Sequence, residues 1–187
     1  KKILADVKDL SAVVEGESVD VATARYGIKD IPKDQQLEVL KGVNGILKPG
    51  GIFVLTDMIS PEAEGIQEWI NMQHSKKQQL GGRNIELEGE CYIPTEQEWL
   101  AMLRKAGFEA EVFGYSTSSV SPTVWLTGNQ FGDLKDPEVA IEAPKKRDVM
   151  NDLLLAAPEE AKTQFNIRKE GEEVKIDFPV VIIRAVK

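Results

Sequence analysis

The sequence predicts an α/β fold, and three segments near the N-terminus carry that prediction. A run rich in β-branched residues at 19–24 is followed by a helical pattern at 33–47 and by an apolar run at 52–56. This order of strand, helix and strand is a βαβ unit, which implies parallel strands and a right-handed crossover. An apolar run at 180–183 adds a further interior strand close to the C-terminus.

The first strand, 19–24, is expected to be largely buried because it alternates valine, alanine and threonine with one aspartate. The helix that follows repeats apolar residues at nearly helical spacing. These residues are Leu37, Val39, Leu40, Val43 and Leu47. Pro49 is expected to end that helix, and Gly50 and Gly51 permit a positive φ before the next strand.

A second helix is predicted to begin at Ser60, with Pro61 at its first position. One side of this helix is traced by the residues Ile66, Trp69, Ile70, Gln73 and Lys77. The glycine pair at 81–82 is expected to end it.

The third helix has the strongest local signals. Thr95 and Glu98 have the spacing of a capping box, which predicts a helix start at this point. Gly107 stands where a left-handed C-cap glycine is expected. The segment 108–113 alternates cleanly and predicts a strand with one solvent-facing side. From Ser116 to about residue 132 the chain is expected to be irregular.

The last third of the chain predicts two helices and then two strands. The helices are expected at 145–156 and, after Pro158, up to about Gln164. Gly171 predicts a turn, and the alternating segment 174–178 precedes the apolar run already described.

Composition excludes several classes of function. The chain has 187 residues, a net charge of −8 and an isoelectric point of about 4.9. This charge argues against nucleic acid as the main partner. No apolar stretch approaches the roughly 20 residues that cross a bilayer. Cys91 is the only cysteine and His74 the only histidine. We therefore expect no internal disulfide, no cysteine cluster and no histidine-rich metal site. The single cysteine also predicts a cytoplasmic location.

Four segments together resemble the class I S-adenosylmethionine (SAM) dependent methyltransferases, particularly the small-molecule group that includes the ubiquinone and menaquinone methyltransferases. Residues 4–10 look like the family's third strand and its acidic adenine-binding turn, and residues 18–27 like the fourth strand and the following loop. Residues 40–58 resemble the fourth helix, the Lys-Pro-Gly-Gly turn and the fifth strand. Residues 92–108 resemble the helix that ends in Ala-Gly-Phe before the sixth strand.

The resemblance implies a partial Rossmann-like methyltransferase fold. Its sheet would be mostly parallel, with an antiparallel C-terminal strand, and would lack the first two strands of the family. The chain would form one incomplete domain, 1–187, with a helical insertion at about 125–166. SAM would be the cofactor, and a small organic molecule would accept the methyl group.

One departure from the family pattern bears on the activity. The glycine-rich loop that approaches the cofactor has no counterpart in this sequence. Without the strands that accompany the loop, the strand at 19–24 would lie at an exposed edge of the sheet. Three explanations stay open: an N-terminally incomplete chain, one part of a split or swapped assembly, or a stable truncated derivative without catalysis. We expect self-association through this strand, or a missing N-terminal segment that covers it.

The resemblance also implies cofactor-binding residues. Asp6 matches the carboxylate that accepts a hydrogen bond from the adenine amino group, and Val7 would lie beside the ring. Ala24 and Arg25 match positions near the methionyl part of the cofactor. The alternative for Asp6 is a surface turn, and the alternative for Arg25 is a surface salt bridge.

Methyl transfer depends mainly on positioning the acceptor, sometimes with a base that removes a proton. Tyr26 follows a parallel strand, where α/β folds place ligands, and a packing role is its alternative. His74 is a candidate base because histidine titrates near neutrality, and its alternative is a satisfied, partly buried side chain. Trp69 and Trp125 could line an acceptor pocket or pack in the core.

Two hypotheses of different class follow. The first is a SAM-dependent methyltransferase of a small-molecule acceptor, present as an N-terminally truncated chain. The second is a non-catalytic module, derived from that fold, that dimerises or binds a partner. The sequence does not identify the acceptor or the atom that is methylated.

Overall fold

The fold is described from a computed structural model. It describes residues 6–63, 65–80, 92–123 and 137–187, and within the helices the side chains of residues 74, 77, 78 and 137–143 are not described. The elements in chain order are the helices and strands α1 Leu10–Val13, β1 Val19–Arg25, α2 Lys33–Ile46, β2 Leu47–Met58, α3 Ile66–Gln79, α4 Glu96–Lys105, β3 Glu109–Val120, α5 Pro137–Leu155, α6 Glu159–Gln164, β4 Arg168–Glu170 and β5 Glu173–Val186. Short 3₁₀ turns span Val7–Asp9 and Ile28–Asp30.

The strands form a sheet in the order β1-β2-β5-β3, and β4 pairs with β5. β1 and β2 run parallel, whereas β5 is antiparallel to β2. The last strand of the chain is therefore inserted between β2 and β3. This arrangement confirms the predicted α/β fold with an antiparallel C-terminal strand.

The connection from α2 to β2 uses its two glycines for different reasons. Gly50 adopts a φ of +77°, which an L-residue with a side chain rarely adopts. Gly51 has ordinary φ, but a Cβ at that position would lie 2.8 Å from the Lys48 carbonyl oxygen. Gly50 is thus required because of its positive φ, and Gly51 because a side chain there would clash with the backbone. The helix ends earlier than the proline, at Ile46.

One face of the sheet and two helices, α2 and α4, enclose the main apolar core. The helix residues Leu40, Trp99 and Leu103 are completely buried. They belong to one cluster with the sheet residues Phe53, Leu55, Val181, Ile183 and Ala185. Burial of this apolar surface is the main stabilisation of this part of the chain.

The capping signals of α4 are confirmed. The Thr95 hydroxyl accepts from the Glu98 amide at 3.2 Å, and the Glu98 carboxylate accepts from the Thr95 amide at 2.9 Å. Gly107 has a φ of +96°, as a left-handed C-cap requires.

The predicted start of the second helix is wrong. The amide of Ser60 donates to the Pro94 carbonyl oxygen, at 3.0 Å, so Ser60 is engaged by a distant segment. Gly65 then adopts a φ of +77°, which is incompatible with a continuing right-handed helix. α3 therefore begins at Ile66. Of the five residues predicted to lie on one side of this helix, Ile66, Trp69, Ile70 and Gln73 are buried, and the side chain of Lys77 lies outside the described residues.

Two strand predictions are also corrected. The segment from Ser116 to Val120, predicted to be irregular, is part of β3. A serine-rich segment forms a strand here because β5 lies beside it as a pairing partner, which outweighs its low β-propensity. β1 is not largely buried: Val21 is 57% exposed, since β1 is the last strand of the sheet on its side among the described residues.

The chain divides into two compact units. The first comprises residues 1–60, 87–116 and 180–187, and the second comprises residues 61–86 and 117–179. The second unit has its own aromatic centre, in which the Phe165 ring lies 5.4 Å from the Trp69 ring and 5.4 Å from the Phe178 ring.

Candidate functional site

The candidate site lies within the first unit, at the carboxyl ends of β1 and β2. The strands are parallel neighbours, with Ala24 opposite Leu55 and Arg25 opposite Thr56. Their carboxyl ends therefore meet at one edge of the sheet, where open α/β sheets bind ligands. A turn, residues 26–31, follows β1 at this edge.

Tyr26 opens that turn in a left-handed conformation. Its φ is +52°, which is uncommon for a residue with a side chain, and its amide donates to the Thr56 carbonyl oxygen at 3.0 Å. The Tyr26 ring is half-buried, and the guanidinium carbon of Arg25 lies 4.9 Å from its centroid. Arg25 and Tyr26 thus form a cation–π pair at the edge of the sheet.

Asp57, near the end of β2, is completely buried beneath the turn. Its Oδ2 accepts from the amides of Ile28 at 3.2 Å and Lys29 at 3.4 Å, and its Oδ1 accepts from the Met58 amide at 2.9 Å. Burial raises the pKa of Asp57, while the positive charge of Lys29 and these amide bonds act in the opposite direction. The side chain of Lys29 in turn pairs with Asp30, at 2.6 Å.

Gln36, on α2, holds the other end of the turn. Its Nε2 donates to the Ile31 carbonyl oxygen at 3.0 Å and to the Tyr92 carbonyl oxygen at 3.1 Å. The side chain is completely buried. It joins the 26–31 turn to the segment that precedes α4.

Tyr92 connects this frame to α4. Its hydroxyl donates to the Glu98 carboxylate, and the Lys33 ammonium lies 3.7 Å from the centroid of its ring. Burial and then the bond to Glu98 raise the pKa of Tyr92. Burial by itself would raise the pKa of Glu98, but bonds from Tyr92 and from Thr95 bring it below its usual range.

Of the residues predicted from the sequence, three meet at this edge: Ala24, Arg25 and Tyr26. Asp6 is exposed and caps the first 3₁₀ turn, where its Oδ1 accepts from the Lys8 amide at 2.9 Å, and Val7 is 40% exposed. The bond to Lys8 keeps the Asp6 carboxylate within its own turn, and its role in binding adenine stays a prediction. His74 is on α3, in the second unit, and its side chain, like residue Trp125, lies outside what the structure describes.

Sequence reasoning missed three side chains of the site: Asp57, Gln36 and Tyr92. Asp57 had a usable signal, since a carboxylate directly after an apolar parallel strand is typical of ligand edges. Gln36 had none, because a glutamine in the first turn of an amphipathic helix is common on its exposed side.

The edge offers an aromatic ring, a guanidinium and a rigid turn, which suit the binding and orientation of a ligand. Among the residues that the structure describes, no group of three or more histidine, cysteine, aspartate or glutamate side chains could hold a metal ion. No helix in the described ranges is long and apolar enough to cross a membrane.

Comparison with solved structures identifies relatives of this fold. A candidate methyltransferase of Bacillus halodurans C-125 superposes with a TM-score of 0.75 and 18% identity, over 100% of this chain and 77% of that one. The YcgJ protein of Bacillus subtilis superposes with a TM-score of 0.69 and 16% identity, over 95% of this chain and 68% of that one.

Comparison with curated proteins gives a shorter match. The chain is 31% identical over 86 residues to a carboxy-S-adenosyl-L-methionine synthase of Geobacter sp. (strain M21). The match covers 46% of this chain and 34% of that protein, so it spans about a third of the relative's length. No family profile matches the sequence.

Proposed function

We propose that this chain, whose fold is that of the class I methyltransferases, belongs to a SAM-dependent methyltransferase that acts on a small-molecule acceptor. The observation that carries the proposal is the edge formed by β1 and β2. There the 26–31 turn, Arg25 and Tyr26 stand where an open α/β sheet binds its ligand. The similarity of the fold to a candidate methyltransferase supports it.

Under this proposal SAM supplies a methyl group on a sulfonium, and the protein supplies position. Ala24 and Arg25 would lie along the methionyl part of the cofactor, and the guanidinium would bind its carboxylate. Asp6 and Val7 would contact the adenine. Tyr26 would orient the acceptor, and His74 is the candidate base where the acceptor must lose a proton.

The rest of the cofactor site would come from polypeptide outside this sequence. The support is physical: the sequence contains no glycine-rich loop, and β1 has a neighbour on only one side among the described strands. A parallel strand at an open edge is normally paired or covered. An N-terminal segment or a second copy of the chain would cover it.

The rival hypothesis, a non-catalytic module that dimerises or binds a partner, gains no support from the comparisons. The two functions differ in one measurable property, since only the enzyme needs an affinity for SAM and its product.

The test is titration calorimetry of the chain with SAM and S-adenosylhomocysteine, followed by transfer of a labelled methyl group to a panel of small acceptors. We expect S-adenosylhomocysteine to bind more weakly to the chain alone than to a chain extended by the polypeptide that completes the site, and Arg25→Ala to weaken binding about tenfold, which is about 1.4 kcal/mol. Arg104→Ala is the matched control, because Arg104 is an exposed arginine on α4.

Absence of binding by the chain alone would rule out an autonomous enzyme. The coding DNA upstream of Lys1 then decides whether a continuing frame carries a glycine-rich loop. If the chain extended by that frame also fails to bind S-adenosylhomocysteine, the proposed function is wrong.

A further inference from the structure

We propose that Asp57 and Gln36 are positioning residues, which hold the 26–31 turn in the conformation that presents Tyr26 and Arg25 to a ligand. This inference rests on the proposed function for the nature of that ligand. The hold on the turn itself rests only on contacts within the first unit. Both side chains are completely buried, so neither is a surface contact that solvent could replace.

Asp57 supplies a cap that the turn cannot supply itself. The 3₁₀ turn Ile28–Asp30 has Gly27 at its N-cap position, and glycine has no side chain to accept from the free amides. The Asp57 Oδ2, from a strand 29 residues away, accepts from the Ile28 amide instead, and from the Lys29 amide. A carboxylate satisfies both donors with one oxygen and keeps its second oxygen for Met58.

Gln36 fixes the opposite end of the turn. Its amide group donates at once to the Ile31 carbonyl oxygen and to the Tyr92 carbonyl oxygen. The turn is therefore fastened to β2 at its start and to the segment before α4 at its end. Among the described residues the Oε1 of Gln36 has no hydrogen-bond partner, so both of the bonds that hold the turn come from its amide nitrogen.

Tyr26, whose backbone is strained, directly precedes the part of the turn that Asp57 and Gln36 hold by hydrogen bonds. Tyr26 has a φ of +52°, and such a conformation persists only where the surroundings hold it. The bond from the Tyr26 amide to Thr56 holds it on one side, and the Asp57 bonds to residues 28 and 29 hold it on the other. Asp57 thus acts on Tyr26 through the backbone, without contact with a ligand.

The charged residues around Asp57 do not support a role for its carboxylate as an acid or base. Lys29 and Asp30 are the charged groups that act on it, and the Lys29 ammonium is already paired with Asp30 at 2.6 Å. Three backbone amides occupy the Asp57 carboxylate. A carboxylate occupied in this way orients the chain and does not exchange protons with a substrate.

The decisive experiment compares Asp57→Asn with Asp34→Asn by amide hydrogen exchange and by S-adenosylhomocysteine titration. The asparagine keeps one acceptor oxygen for the Ile28 and Lys29 amides, but a neutral amide oxygen accepts more weakly than a carboxylate oxygen, and its NH₂ group faces the Met58 amide, donor against donor. We expect exchange at Ile28 and Lys29 to become at least tenfold faster in Asp57→Asn, with exchange in α4 unchanged. We expect its dissociation constant for S-adenosylhomocysteine to rise about tenfold. Asp34→Asn, at an exposed aspartate on α2 outside the turn, should leave both measurements as in the wild type.

Gln36→Leu is the second variant, and it decides the question if Asp57→Asn does not fold. It removes the bond to Ile31 at the other end of the turn and should accelerate exchange over 28–31. Unchanged exchange at Ile28 and Lys29 in a folded Asp57→Asn protein, or faster exchange with unchanged affinity, would overturn the inference. If neither the chain nor its upstream-extended form binds S-adenosylhomocysteine, the proposed function alone is refuted, since the exchange data would still decide whether Asp57 holds the turn.

Discussion

Asp57 combines two properties that are rare in an aspartate, complete burial and bonds from three backbone amides. Burial penalises the charged form more than the amides favour it, so the pKa of the folded state lies above the ordinary value. The Asp57 carboxylate therefore holds the turn of the site in place, but its charged form lowers the free energy of unfolding.

The raised pKa of Asp57 predicts how the stability of the protein depends on pH. Between the ordinary pKa, near pH 4, and the raised pKa of Asp57, the folded protein binds more protons than the unfolded chain. The contribution of Asp57 to the free energy of unfolding should therefore fall as the pH rises through that interval. Urea unfolding of the wild type and of Asp57→Asn at several pH values measures it. The wild type should lose stability relative to the variant with rising pH, and a constant difference would contradict the prediction.

Tyr26 gives a second prediction at the same scale. Its φ of +52° favours glycine over any residue with a Cβ, by about 1 kcal/mol. Tyr26→Gly and Tyr26→Ala both remove the ring, but only glycine relieves the backbone. We expect Tyr26→Gly to be the more stable of the two by about 1 kcal/mol in denaturant unfolding. Equal stability of the pair would show that the conformation is not strained.

The sequence indicated Arg25 and Tyr26 because they directly follow a strong strand pattern. It did not indicate Asp57 or Gln36. Their roles depend on the Ile28 amide and on the Tyr92 carbonyl, which lie 29 and 56 residues away in sequence. No local pattern carries such a pairing.

At the scale of elements, α4 is the best predicted part of the chain. Its capping box and its left-handed Gly107 are both local, and both are confirmed. α3 is the counterexample. The start predicted at Ser60 is wrong because Gly65, five residues later, adopts a left-handed φ of +77° that interrupts a right-handed helix.

The C-cap of α4 gives a third prediction. A Cβ at Gly107 would lie 3.5 Å from the Asn44 side chain, an ordinary van der Waals distance. The loss of stability in Gly107→Ala should therefore come from the φ of +96° at this position. We expect a loss of about 1–2 kcal/mol in the free energy of unfolding. Gly114→Ala is the control, since Gly114 has no atom within 4 Å of its Cβ position and no positive φ. If the two substitutions cost the same, the left-handed cap contributes nothing.

At the scale of the whole molecule, the sheet edge matters most. Val21 is 57% exposed on β1, and the backbone of β1 pairs with a described strand on one side only. An open edge with exposed apolar side chains favours association with another chain.

A fourth prediction follows for that edge. We expect the chain to self-associate at high concentration in sedimentation experiments, and Val21→Lys to raise the dissociation constant at least tenfold, because edge lysines oppose strand pairing. Val149→Lys, at a valine that is 41% exposed on α5, is the matched control. A monomer at all concentrations would argue against association through β1.

The sequence by itself determined the βαβ unit, the capped helix α4 and the resemblance that led to the fold. These features depend on residues close together in the chain, so their patterns are visible in it. Only the tertiary structure decided that Val21 is exposed, that Ser60 does not begin a helix, and that Asp57 and Gln36 hold the turn beside Tyr26. Burial and hydrogen bonding between distant segments depend on which elements become neighbours, and that is set by packing of the whole sheet.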